Sequence, residues 1–167
     1  MNQGEPVDTE TRERVGYDED FHAWAFAQAT LLREGRLDRL DLENLAEELE
    51  SLGRSERRAL ESRLEVLILH LLKWQYQAEK RSKSWLATIA EQRYRISRLF
   101  HESPSLRPLL EELVPVAFIG ATFSFERETE LPRSLVGKSC PYSTTQIVDD
   151  AFLPQETGGP PIEPQSL

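Results

Sequence analysis

SERRALESRLEVLILHLLKWQYQAE, residues 55–79, decides the fold. Within it Leu60, Leu64, Leu67, Leu71 and Trp74 step by four, three, four and three positions, which is the spacing of a heptad seam. Val66, Ile68, Leu69 and Leu72 fill most of the remaining circumference, and a helix that is apolar nearly all round belongs in the middle of a fold. The stretch therefore predicts a long central helix from Ser55 to about Glu79.

Outward from this spine the chain reads as further helices. On the amino-terminal side Asp18 or Asp20 caps a helix to about Glu34, where Gly35 stops it. Its expected inward face is Phe21, Trp24, Ala25, Leu31 and Leu32, with Gln28 between the turns. Asp41 caps the next helix, with Leu42, Leu45, Leu49 and Leu52 at helical spacing and Gly53 closing it. Glu43, Glu47, Glu48 and Glu50 make its outer face acidic. On the other side, Arg81-Ser82-Lys83-Ser84 is a polar turn before a helix over about 84–101, faced by Trp85, Ile89, Arg93, Ile96 and Phe100. Ser103-Pro104 starts another helix, serine as cap and proline in the first turn. Pro115 is expected to kink it, and it reaches about Glu130. Pro132, Gly137 and Pro141 mark a loop, followed by a helical turn near 145–150 and a docking segment at Phe152-Leu153-Pro154. The expected fold is all-α: a compact single-domain bundle of five or six helices around a long central one. Residues 1–16 read as a flexible lead, 17–154 as the helical domain and 155–167 as a disordered tail.

A length of 167 residues suits one domain that buries roughly 70% of its unfolded surface. The longest apolar run noted, Val66 to Leu69, ends at His70, far short of the ~20 residues of a membrane span. Residues 1–14 are polar and acidic and offer no secretion signal. Cys140 is the only cysteine, so no internal disulfide forms. These features set the expectation of a cytoplasmic protein with no membrane contact. The net charge of −9 is segregated. Residues 73–98 carry seven bases (Lys73, Lys80, Arg81, Lys83, Arg93, Arg95, Arg98) against Glu79 and Glu91, between acidic flanks. Either this block pairs with the acidic helices, which is the ordinary outcome and the expected one, or it meets an anionic partner.

Several stretches are similar to the blocks of one family. Tyr17-Asp18-Glu19-Asp20-Phe21, Asp41-Leu42-Glu43-Asn44-Leu45-Ala46-Glu47-Glu48 and Leu52-Gly53-Arg54-Ser55-Glu56 resemble the opening of the DUF29 family. So do His70-Leu71-Leu72-Lys73-Trp74-Gln75-Tyr76, Ser82-Lys83-Ser84-Trp85, Ser103-Pro104-Ser105-Leu106 and Cys140-Pro141-Tyr142. The resemblance runs in order from about Tyr17 to Pro154. It departs at Ala78, where a proline is usual, and in the aromatic-rich stretch Phe118 to Phe125. It implies an all-helical bacterial protein and carries no catalytic roles with it.

No phosphate-binding glycine loop, His-Glu-x-x-His or CxxC is present, so no catalytic residue, metal ligand or cofactor is assigned. Three clusters remain. His70, Lys73 and Trp74 share a side of the central helix, and an antiparallel hairpin would bring Lys73 and Trp74 near residues 88–89 and His70 near 92–93. With Arg81 and Trp85, Arg93 completes the candidate ligand-binding set His70, Lys73, Trp74, Arg81, Trp85 and Arg93, suited to a carboxylate or phosphate. The competing and favoured reading is a buried polar network, with Arg93 paired to an acid such as Glu47 and His70 bonded to backbone. The acidic group Glu43, Glu47, Glu48 and Glu50, with Glu65 and His70, lacks the Glu-x-x-His spacing of di-metal bundles. Cys140 has no histidine placed beside it by sequence. The expected role is a non-enzymatic interaction module with a protein partner, a second copy included. The alternative is an anionic ligand at the basic hairpin 73–98, nucleic acid being the disfavoured form of it, and third comes an enzyme with a His70/Arg93 pocket.

Overall fold

The computed structural model of the chain describes residues 16–156. The expectations for residues 1–15 and 157–167 lie outside them. Among the described residues there are five α-helices and no strand. The chain divides at Gly53/Arg54 into two units, each taken by itself.

In the first unit, Asp20 sits in extended backbone and its carboxylate accepts the Ala23 amide at 2.9 Å, starting α1, Phe21–Arg33. Gly35, at φ 70°, takes the left-handed turn that ends it at little cost to glycine. Asp41 caps α2, accepting the Asn44 amide at 3.3 Å. Its carboxylate also receives Asn44 Nδ2 at 2.7 Å and Trp24 Nε1 at 3.2 Å, while its own amide donates to Gln28 Oε1 at 2.9 Å. Asp41 thus ties α1 to the start of α2. The Asn44 side-chain bond, more than any other contact, holds its carboxyl below the ordinary carboxylate value, against an opposing push from burial. The expected inward face of α1 is only partly inward: Trp24 and Gln28 are buried, but Phe21 and Leu32 remain about half exposed.

The break expected at Gly53 does not occur. Helix α2 is continuous over Leu42–Tyr76, 35 residues. A helix-ending glycine takes positive φ, and among the described residues only Gly35 and Gly137 do so. An interior glycine costs a helix about 1 kcal/mol relative to alanine, which the surrounding leucine, glutamate and arginine residues readily outweigh.

In the second unit the later half of α2 is the spine the sequence predicts. Leu60, Leu64, Leu67, Ile68, Leu71 and Leu72 are fully buried. A short 3-10 turn, Ala78–Lys80, leads to α3, Lys83–Glu102, capped by Ser82 Oγ on the Trp85 amide at 3.3 Å. Ile89, Arg93, Ile96 and Phe100 line its buried side. The hairpin register differs from the expected one: Lys73 meets Trp85, about one helical turn nearer the bend than 88–89. Ser103 makes no side-chain bond to an amide of the next element; its hydroxyl donates to Glu56 at 2.6 Å. Pro104–Leu109 is a 3-10 helix, since Pro108 has no N–H to return to the carbonyl four residues back. The α-helix α4 starts after it, Leu110–Thr129, and continues through Pro115. Its middle, Leu113 to Phe125, is uncharged, so Val66–Leu69 is not the longest such stretch in the chain. Pro104–Thr129 is long and apolar enough to cross a membrane by length and composition, but Leu113, Ala117, Phe118, Ala121 and Phe125 are spent on the core. Helix α5, Thr144–Val148, is set by a reciprocal capping box between Ser143 and Gln146 and seats the fully buried Ile147.

Candidate functional site

Four of the six residues singled out by sequence lie together where α2 gives way to α3. Lys73 Nζ is 3.0 Å from Glu128 Oε2 on α4 and 4.7 Å from the centre of the Trp85 ring. Its side chain is only 12% exposed, so the charge is shielded by an acid and an aromatic face together. Arg81 lies 4.9 Å over the Trp74 ring and donates from Nε to the Trp74 carbonyl at 2.9 Å. Its Nη2 is buried without a hydrogen-bond acceptor among the described residues, leaving the indole face as its compensation. His70 stands beside this group, with Nδ1 2.9 Å from the Val66 carbonyl one turn back. That geometry places the proton on Nδ1. Burial, and then the nearby Lys73 charge, hold its pKa below the ordinary 6.5, against the Val66 bond, so the ring is neutral at pH 7.

Arg93 is elsewhere. It is 4% exposed, and its guanidinium is directed at backbone carbonyls of the carboxy-terminal segment. Nε donates to Ile147 O and Nη2 to Phe152 O, both at 2.9 Å; longer contacts reach Gln146 O at 3.4 Å and Asp150 O at 3.5 Å. The acid suggested for it, Glu47, is not its partner; carbonyls at the end of α5 are. Burial lowers its pKa, and Asp150 and Asp149 oppose that shift. A guanidinium whose fork is filled by carbonyls fastens a segment and has little left to grip a ligand.

The basic segment is largely committed. Besides Lys73, Arg81 and Arg93, Arg95 pairs with Glu91 at 2.7 Å and Arg98 pairs with Glu102. Lys80 and Lys83 are the two exposed bases of the segment without such a partner among the described residues. An open hollow of about 330 Å³ is lined by Arg63, Tyr94, Arg95, Leu99 and the Arg98–Glu102 pair. A second groove, about 410 Å³, lies between α4 and the loop before α5, floored by Val114, Pro115, Phe118 and Ile119 and edged by Lys138 and Cys140. Burial pushes the Cys140 thiol up, which makes it a poor nucleophile. Among the described residues no group of three or more His, Cys, Asp or Glu side chains is placed to hold a metal ion.

The feature that helical spacing did not reveal is in the first unit. Leu42, Leu49 and Leu52 are 67%, 67% and 65% exposed. They form one stripe on α2 with Leu45, which is partly buried. Phe21 and Leu32 on α1 add further apolar surface. The acids Glu43, Glu47 and Glu50 are exposed too, whereas Glu48 accepts the Tyr17 hydroxyl and drives its pKa up to about 12. The sequence held no signal for this: α1 carries Phe21, Trp24, Phe26, Leu31 and Leu32, but of these only Trp24 is buried, and Phe21, Phe26 and Leu32 are themselves exposed.

No curated protein and no solved structure matches the chain. The family model described as domain of unknown function DUF29 matches residues 16–153, which takes in both units and every element described above. The chain therefore belongs to the DUF29 family.

Proposed function

We propose that the chain is a helical protein-interaction module that acts through the apolar stripe of its first unit. The observation that carries this reading is the exposure of Leu42, Leu49 and Leu52 on a single helical face. Large apolar side chains scattered over a surface are ordinary, but a contiguous row of them marks a contact surface. The alternative, an anionic ligand at segment 73–98, has less support, because five of its seven bases are engaged within the fold. An enzyme built on His70 and Arg93 has less still, since Arg93 is used to hold the segment after α5. As part of the same proposal the module works in the bacterial cytoplasm, where a single free thiol is the ordinary state.

Site-specific photo-crosslinking in the native host tests the reading. A benzophenone side chain placed at Leu49 or Leu52 is expected to give discrete adducts, and the same group at Glu91 or Lys83 is not. Absence of discrete adducts from both leucine positions, or the same pattern from all four, would overturn it.

A further inference from the structure

Resting on that reading, we infer that the occupant of the stripe is a second copy of this chain. Three observations point to it. First, Leu42, Leu45, Leu49 and Leu52 step by three, four and three, so they fall at positions a, d, a and d of two heptads, a seam that is complementary to itself. Second, the charges are placed for self-pairing. This unit carries ten acids against Arg33, Arg36 and Arg39 over residues 16–53, a balance that ought to repel a second copy. Yet in this register Glu43 and Glu50 fall at b and Glu47 at f, on the far side of the helix from the seam. The flanking e positions are Ala46 and Gly53, small enough to let two helices approach closely. The flanking g positions are Asp41, which caps α2 and accepts from Asn44 and Trp24, and Glu48, whose carboxylate accepts the Tyr17 hydroxyl. A basic partner helix would call for acids reaching across from both e and g; the e positions have none, and both g carboxylates are bonded within their own unit.

Third, the segments outside the described residues carry no apolar side chains at heptad spacing to match the seam. Residues 1–15 contribute Met1, Val7 and Val15, and residues 157–167 contribute Ile162 and Leu167. The exposed parts of Leu42, Leu49 and Leu52 amount to roughly 350 Å² per chain, below the ~800 Å² per partner of a standard interface, which is the area of a weak, reversible contact rather than an obligate one.

The test is the mass of the purified full-length chain by light scattering and sedimentation across the micromolar range. A two-chain mass is expected, shifting towards one chain on dilution. Leu42→Ser/Leu49→Ser/Leu52→Ser should weaken association by at least about 100-fold, the loss of two or more well-buried apolar contacts. Far-UV circular dichroism should show its helix content unchanged, as expected for substitutions at exposed positions. Glu47→Lys/Glu50→Lys, outside the seam, should leave the mass unaltered, and added salt should change it little. A one-chain mass throughout overturns the inference, as does a two-chain mass that survives the triple substitution or disappears in the charge variant. Should the chain be monomeric while Leu49 still crosslinks a different protein, self-association fails and the interaction-module reading stands. Monomeric mass without discrete crosslinks removes both.

Discussion

Replacing Arg93 with methionine keeps a long unbranched stem and deletes the guanidinium. The loss can be worked from its contacts. The bonds to Ile147 O and Phe152 O, both at 2.9 Å, are charge-assisted and contribute about 1.5–3 kcal/mol each, while the contacts at 3.4 and 3.5 Å lie at the edge of useful geometry. Offsetting part of this, methionine has no charge to desolvate on folding. A net cost of about 2–4 kcal/mol remains, because two carbonyls lose their donor in a place where water does not readily replace it. The cost falls on the segment after α4, which Arg93 fastens to α3, and not evenly on the whole protein.

Native-state hydrogen exchange reads such a local loss. The amides of Ile147, Asp149 and Phe152 donate to Ser143, Gln146 and Asp149 carbonyls within the fastened segment. Their protection should drop by about 30- to 700-fold in Arg93→Met, at tenfold per 1.4 kcal/mol, while amides in the middle of α2 change far less. Arg93→Lys should fall between, since a single ammonium reaches fewer of the carbonyls than a planar fork does. Unchanged protection at Ile147 and Phe152 in both variants would refute the assignment of Arg93 as the fastening residue.

Leu67 is fully buried in the central helix, and Leu67→Ala should cost about 2–5 kcal/mol in a urea titration; an unmoved midpoint would mean the seam is misplaced. His70 titrates below its ordinary 6.5 in the folded chain, so as pH falls through 6.5 the unfolded chain takes up the proton first and stability declines. His70→Gln should flatten that decline between pH 7 and about 5, and identical slopes for the two proteins would contradict the buried neutral ring. A Cβ on Gly53 meets nothing within 4 Å, and its φ is not left-handed, so Gly53→Ala should raise the helicity and amide protection of residues 50–56, by up to about 1 kcal/mol. Reduced protection there would restore the helix break at Gly53.

The same signal, apolar residues at heptad spacing, marks an enclosed face in one half of α2 and an exposed one in the other. Around Leu60 to Trp74 the reading was correct, because a helix apolar on nearly every side must be enclosed and α3 and α4 supply enough matching side chains to enclose it. The caps at Asp20 and Asp41 were equally legible, since each acts through a bond to the amide three residues on; Ser103 looked the same in sequence and makes no such bond. What failed were features decided by distant or competing terms. Gly53 looked like a terminator because glycine is a common one, but termination needs the left-handed conformation, and nothing local forces it there. Arg93 was correctly placed on an inward face, yet its partners are backbone carbonyls, which have no side-chain identity to find in a sequence.

Leu42 to Leu52 shows the deeper limit of periodicity. A stripe of leucines states that a helix face is meant to be dry; it does not state whose atoms dry it. For Leu60 to Leu72 the covering side chains can be counted within the second unit. For Leu42, Leu49 and Leu52 they cannot, since α1 contributes one buried aromatic side chain, Trp24, and leaves Phe21 and Leu32 half exposed themselves. The conflict between a strong core-like pattern and a unit too small to satisfy it is therefore informative. A face that carried no selective advantage when covered would be expected to hold polar residues, as the opposite side of the same helix does at Glu43, Glu47 and Glu50. Keeping four leucines in line there, with alanine and glycine beside them and the acids turned away, is consistent with a seam whose other half is supplied by another chain.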